Sequence, residues 1–309
     1  MSNAEDGSKD TIQIVTSADS GFLRQLVTLL RSIEVSNAGD LPDVTVLTDA
    51  DTARSTRLMP SQLTVNWVQV PDNLTDDVVM PSFLEPSSLW RVSLDTLVAS
   101  ELDRVIYLDA DMVVRHRLRP LWEFDLESAV IGAVRDPLVP WFGAPKGPPW
   151  RDLDVDPASP YFNAGMMLID VSSWRRDEVS NKTIEVLRKA PLPYADQCAL
   201  NTVLIDRWAQ LPPTFNVQGA HLMPGLGFGP VIESADALKQ ALADPAIVHF
   251  NTSNFGRPWL AGCTHPFRDE WYATLDETEF AHWRPRPAPL PDRVFRRVKR
   301  AASTLITGT

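Results

Sequence analysis

The sequence predicts an α/β domain built around a largely parallel sheet. Three observations carry that expectation. Short, β-branched apolar runs alternate with segments of helical apolar spacing through the first half of the chain, the pattern of βαβ units. One of those runs, Val105 to Leu108, leads straight into Asp109-Ala-Asp111. The stretch from Asp136 to Pro160 then breaks the alternation with seven prolines, yet it carries Trp141, Phe142 and Trp150 and so reads as an ordered loop over a site.

Residues 1–10, with Ser2-Asn3-Ala4, read as a cloning scar and polar lead and are set apart from the fold. Thr11 to Ser17 alternates into a strand, after which Asp19 stands where a helix N-cap belongs. Leu23, Leu26, Val27, Leu30 and Ile33 follow at helical spacing on one apolar stripe. Val44 to Leu47 and Leu63 to Val70 read as strands, and Ser87 or Ser88 caps a helix reaching about Ser100. Val105 to Leu108 and Ala129 to Val134 are the next strands. Beyond the aromatic loop, Tyr161 to Val171 is a strand, followed by helices over Asp177 to Lys189 and Asp196 to Trp208. His221 to Pro230 is a second Gly/Pro-rich loop, and Ala246 to Phe250 a short buried strand. The catalytic domain thus spans 11–284. Residues 285–309 form a proline-rich linker and a helix on which Arg293, Arg296, Arg297, Lys299 and Arg300 share space with Val294, Phe295 and Val298. Such a basic amphipathic helix (291–306) either contacts anionic lipid peripherally or packs on the body.

Composition narrows the function. A net charge of −11 argues against a general nucleic-acid binder. Only two cysteines occur, Cys198 and Cys263, too few for a disulfide framework, so a reducing compartment is expected. Without a signal peptide or a membrane-length apolar run, the expected location is cytoplasmic, and peripheral on the inner face of the membrane if the basic helix contacts lipid rather than the body.

The Asp109/Asp111 pair carries the chemistry. Ligands of open α/β sheets bind beyond the carboxyl ends of strands, where both acids fall. Two carboxylates so close repel unless they share a cation, and a hard divalent ion takes oxygen ligands. The competing reading is a solvated turn after a strand, since Asp favours turns.

Four segments in order now carry a resemblance. They are Val105-Ile-Tyr-Leu-Asp-Ala-Asp111, Tyr161-Phe-Asn-Ala-Gly165, Asp196-Gln197 leading to Leu200-Asn201, and His249-Phe-Asn251 followed by Arg257-Pro-Trp259. Ser17-Ala-Asp19 after the first strand and Arg91 before the acid-bearing strand fit the same pattern. Over residues 11 to 275 the chain resembles retaining glycosyltransferases of family 8, the group containing glycogenin and bacterial lipopolysaccharide galactosyl- and glucosyltransferases. The resemblance implies a GT-A (nucleotide-diphospho-sugar transferase) fold with a Rossmann-like mixed sheet flanked by helices. It implies transfer of glucose or galactose from UDP-glucose or UDP-galactose to a saccharide, a lipid-linked or another hydroxyl acceptor.

It also implies roles for residues. Asp109, Asp111 and His249 hold Mn²⁺, with Mg²⁺ a substitute, a mixed O/N set that suits such ions. Ser17, Ala18 and Asp19 take the uracil and ribose, although Asp19 also reads as a plain helix cap, and Phe22 lies against the base. Arg91 offers its fork of donors to phosphate or sugar oxygens. Ala110, Asn163 and Ala164 line the donor, and Gly256 and Arg257 meet the diphosphate. Asp196 and Gln197 face the sugar as the catalytic pair. Gln197 is a poor nucleophile, which favours front-face substitution over the covalent route of retaining glycosidases, with a covalent part for Asp196 as the open alternative. Relatives carry lysine where this chain has Arg257, which keeps the charge and changes the geometry. Trp141, Phe142 and Trp150 either stack on an acceptor or anchor their loop. Two rivals stand beside this reading. One is an Asp-x-Asp phosphohydrolase, disfavoured because Val113 replaces the expected threonine. The other is a sugar-nucleotide-binding module without turnover.

Overall fold

The computed structural model describes residues 10–49, 62–71, 78, 86–189, 191–223, 234–251 and 255–287. The polar lead, most of the second Gly/Pro loop and the segment 291–306 expected as a basic helix fall outside the described residues. Strands β1 (Gln13–Ala18), β2 (Asp43–Thr48), β3 (Thr64–Gln69), β4 (Arg104–Asp109), β6 (Ile131–Arg135), β7 (Phe162–Asp170) and β8 (Trp208–Gln210) form one sheet in the order β3-β2-β1-β4-β7-β6-β8. The pairs on either side of β7 are antiparallel and the others parallel, so β7 alone runs against the rest. Strands β5 (Met112–Val114), β9 (Val217–Gln218) and β10 (Ile247–His249) make a second, small sheet in the order β5-β10-β9.

Alternation along β4 explains why its apolar run is unbroken. Ile106 and Leu108 join the core under α1 (Leu23–Ser36), with Leu26, Leu30 and Ile33. Val105 and Tyr107 point the other way, into a core with Met167, Ile169 and Trp174. A strand covered on both faces needs apolar residues at every position. Helices α2 (Val171–Arg176), α3 (Val179–Lys189) and α4 (Ala195–Val203) cover that second face, α5 is Ala235–Ala243, and α6 (Arg268–Leu275) packs through Trp271 and Leu275 onto Val27, Val113, Val248 and Phe250.

Two expected helices differ. The segment after Ser87 is a 3-10 helix, Pro86–Ser93, closing in one α-turn, Leu94–Leu97. Leu89, Trp90, Arg91 and Val92 are buried in succession, and the polar side of the segment, Ser87, Ser88 and Arg91, turns into a cleft of the protein. The helix expected to reach Trp208 stops at Val203, because Asp206 takes a left-handed φ of 56° and turns the chain into β8.

Candidate active site

The site lies beyond the carboxyl end of β4, at its seam with β1 and β7. Ser17 and Asp109 are direct partners across the β1–β4 pair. Beneath them the buried Tyr107 hydroxyl donates to Asp109 Oδ1 at 3.1 Å. Its single proton is then spent, so Ser17 Oγ donates to Tyr107 at 2.8 Å.

After the Ala110 turn the chain enters β5, which pairs with β10 so that Phe250 N donates to Asp111 O at 3.0 Å. That pairing sets His249 over the acids. Its Nε2 is 3.0 Å from Asp111 Oδ1 and 3.7 Å from Asp109 Oδ2, and one ligand atom from each of the three residues lies within 4.8 Å of the others. Gly165 supplies the room. A Cβ there would stand 2.4 Å from His249 Cε1 and 2.7 Å from Asp109 Oδ2. Two carboxylates and an imidazole around a space only glycine leaves clear are a donor set that fits a divalent cation. Burial raises the Asp109 carboxyl above its ordinary range, against the pull of Arg91. Asp111 goes the other way: burial opposes its charge, but His249, with Arg257 beyond, holds it below the usual carboxylate range.

Arg91 is buried and joins this cradle to α4. Its Nη1 pairs with Asp109 Oδ1 and its Nε with Asp196 Oδ2, each at 2.8 Å. The Asp196 contact is charge to charge, because the Nε proton points to Ser88 O (2.9 Å) while Nη1 also donates to Ala164 O (2.8 Å). Nη2 alone has no partner among the described residues, so the fork expected to face the donor is largely committed to holding acids in place. Burial pushes Asp196 up to about 6, with Arg91 opposing and Asp109 adding to the rise.

Beside the cradle stands a wall of two amides, Asn163 and Gln197, around the Asp136 carboxylate. Gln197 Oε1 accepts from Asn163 Nδ2 (3.0 Å) and Ala164 N (3.1 Å), and its Nε2 donates to Asp136 Oδ2 (3.3 Å). Asn163 Nδ2 also donates to Asp136 Oδ2 at 3.1 Å, while Asp136 Oδ1 accepts from Leu138 N and Val139 N. Asn201 brackets Phe162, accepting from its N–H and donating to its carbonyl, and so fixes the start of β7 that carries Asn163.

These groups line one cleft of about 310 Å³. It brings together Ser17, Phe22, Arg91, Asp109, Ala110, Asp111, Asn163, Ala164, Asp196, Gln197, His249 and Arg257, all read from sequence. Ala18, Asp19 and Gly256 stand beside lining residues without lining it. Asp19 serves as the cap, accepting from Gly21 N at 2.9 Å, and its other oxygen accepts from Ser87 Oγ at 2.7 Å. Gly256 has a backbone role, with φ of 69° and Cys263 Cα 3.2 Å from where a Cβ would be. Of the loop aromatics, Phe142 is fully buried, edge-on to Tyr161, and neither Trp141 nor Trp150 lines the cleft; Leu138, Val139 and Tyr194 do. Phe142 belongs to a buried cluster against which Trp141 and Trp150 pack, so the aromatics contribute to anchoring their loop. A roomier hollow of about 610 Å³ beside α6 is lined by Asp269 and Asp276, each in an ion pair with an arginine, and by no amide side chain.

Sequence reading missed Asp136, Asn216 and Tyr107. Tyr107 looked like core, and Asp136 like the first residue of a loop. Asn216 had no local signal: it precedes β9, and only the β9–β10 pairing brings its Oδ1 to 3.0 Å from His249 Nδ1.

A mixed sheet with one reversed strand and an Asp-x-Asp pair where the central strands end defines the GT-A class of glycosyltransferases. The sequence profile described as glycosyl transferase family 8 matches residues 13–263, and the chain belongs to that family. It is 29% identical over 221 residues to general stress protein A of Bacillus subtilis, covering 70% of this chain and 74% of that protein. It is 27% identical over 280 residues to glycosyltransferase GlyF of Streptococcus pneumoniae, covering 88% of this chain and 63% of that one. With the lipopolysaccharide 1,3-galactosyltransferase of Salmonella typhimurium it shares 27% over 207 residues, 63% of this chain and 56% of that one. Among solved structures, the galactosyltransferase LgtC in complex with donor and acceptor sugar analogs superposes with a TM-score of 0.72 at 21% identity, covering 91% of this chain and 99% of that chain.

Proposed function

We propose that the protein is a metal-dependent, retaining hexosyltransferase that moves glucose or galactose from a UDP-sugar to a saccharide, lipid-linked or other hydroxyl acceptor. The observation that carries this is one cleft lined by both sets of groups: the Asp109/Asp111/His249 cradle and, beside it, the Asn163 and Gln197 amides with the Asp136 carboxylate. Relatives named as a lipopolysaccharide galactosyltransferase and as streptococcal glycosyltransferases agree with hexosyl transfer.

Asp109, Asp111 and His249 would hold Mn²⁺, or Mg²⁺ in its place, which when bound supplies positive charge for the departing diphosphate. Arg257, at the cleft edge, adds a second cation there. Ser17 and Phe22 would take the nucleoside, and Asn163 and Gln197 the sugar hydroxyls, since amides both donate and accept. Asp196 is a poor candidate for covalent attack, because it is 4% exposed and its charge is turned to Arg91. Gln197, an amide with its oxygen already accepting two hydrogen bonds, is a poorer one. Front-face substitution follows, with the leaving phosphate taking the acceptor proton and Gln197 presenting its dipole to the developing positive charge.

The test is a thermal-shift panel of UDP, GDP and dTDP with and without Mn²⁺. A ligand at about 100 times its dissociation constant stabilises by roughly 2.7 kcal/mol, a shift of a few degrees in a protein this size. The expected result is a UDP shift that needs Mn²⁺ and vanishes in Asp111→Asn. No shift with any nucleotide at saturation would overturn the donor assignment. Product of inverted configuration would overturn retention.

A further inference from the structure

The hydrogen bonds behind His249 form a chain whose direction is fixed at one end by the backbone. Asn163 Oδ1 accepts from Gly165 N at 3.1 Å, and a main-chain N–H can only donate, so that atom is the amide oxygen. Asn216 must therefore present its Nδ2 to Asn163 Oδ1, which it does at 3.0 Å. That leaves Asn216 Oδ1 toward His249 Nδ1, at 3.0 Å, and an amide oxygen there requires the proton on Nδ1. The other ring nitrogen, Nε2, is the one that faces Asp109 and Asp111. Asn216 is wholly buried and Asn163 5% exposed, so water cannot substitute in this chain. At its far end, Asn163 Nδ2 donates to Gln197 Oε1 and Asp136 Oδ2.

From this geometry we infer that Asn216 is a positioning residue. It fixes the tautomer and tilt of His249, so that Nε2 offers a lone pair to a cation, and it ties that ring to the amide wall that faces the sugar. The inference rests on the cation site proposed above, and its first test fills that site with the diamagnetic ion Mg²⁺, because without a cation the Asp111 carboxylate 3.0 Å from Nε2 competes for the ring proton. Under alkaline conditions, where imidazoles are neutral, the ¹⁵N shifts of histidine-labelled protein report which ring nitrogen carries the proton. His249 is assigned among the five histidines by its own variant. The expected form is Nδ1–H in the wild-type protein and a mixture in Asn216→Ala. An Nε2–H wild-type ring, or an unchanged ring in the variant, overturns the inference.

The second test is Mn²⁺ affinity, read from the paramagnetic resonance of the free ion in the absence of donor. Losing such an outer partner typically weakens metal binding ~10–100-fold. Asn216→Ala is expected to show that loss. Asn216→Asp keeps an acceptor for Nδ1–H and is expected to bind Mn²⁺ near the wild-type level while turning over more slowly, because it no longer donates to Asn163. Equal losses in both variants would overturn the role assigned to the Nδ1 bond. Should Asn216→Ala fold poorly, Asn216→Asp and the wild-type tautomer still decide. Wild-type protein that shows Nδ1–H yet never binds Mn²⁺ would instead overturn the metal reading alone.

Discussion

Gly165→Ala is the sharpest perturbation the site offers. The new methyl carbon would stand 2.4 Å from His249 Cε1, 2.7 Å from Asp109 Oδ2 and 3.0 Å from Asn163 Oδ1. Carbon atoms in ordinary contact sit about 3.5–4.0 Å apart, so the imidazole must retreat by about 1 Å. It has little space to do so, being 2% exposed with Asn216 bonded behind it. Asp109 cannot yield either, since Arg91 and Tyr107 both hold its Oδ1. Overpacking of this kind costs about 1–3 kcal/mol of stability. A reacting constellation displaced by about 1 Å loses on the order of 10²-fold in rate. The assay is Mn²⁺ affinity beside turnover of a UDP-hexose, with urea unfolding as the check on folding. Affinity and turnover equal to wild type in a folded Gly165→Ala protein would refute the claim that a glycine is needed to leave the cradle open.

Other outcomes follow from the same geometry. Arg91→Ala leaves Asp109 and Asp196 buried together without their shared cation, and removing one partner of a buried pair costs about 3–5 kcal/mol, measurable by denaturant unfolding; a loss under half of that would contradict the bridging role. Tyr107→Phe strands Ser17 Oγ in the buried floor and should cost about 1–3 kcal/mol, read the same way, with an unchanged midpoint counting against it. Asp196, raised from 3.8 to about 6 in the fold, binds its proton more tightly folded than unfolded. Its contribution to stability is therefore full below the unfolded value and lost as pH rises through about 6, roughly 3 kcal/mol in all. Asp196→Asn should remove that part of the pH dependence, and identical unfolding profiles for the two proteins would rule it out.

What the sequence revealed, and what it hid, divides along physical lines. The motif ends of β1 and β4 were legible because each is local: an apolar run of strand length followed at once by polar residues. The Asp109/Asp111 pair was legible because its charges conflict without a cation. The tasks of buried partners were not legible. Arg91 read as a group for the donor, yet two of its three nitrogens hold Asp109, Asp196 and two carbonyls. Asn216 and Asp136 are polar residues in irregular segments, and nothing near them in sequence predicts which strand they will serve. The 3-10 segment at Pro86–Ser93 had the capping residue of an α-helix, but its polar side, Ser87, Ser88 and Arg91, serves the cleft, which no local signal in the sequence shows.

The small sheet has a consequence for how the chain is made. Its strands come from three distant places, so the two acids emerge from the ribosome long before the histidine that completes their site. A cation that binds only the finished arrangement stabilises only that state. It can lock the mature enzyme, but it offers the nascent first half no help. The early strands and α1 must hold themselves together on their own packing and ladders, without the cation, until β9 and β10 arrive.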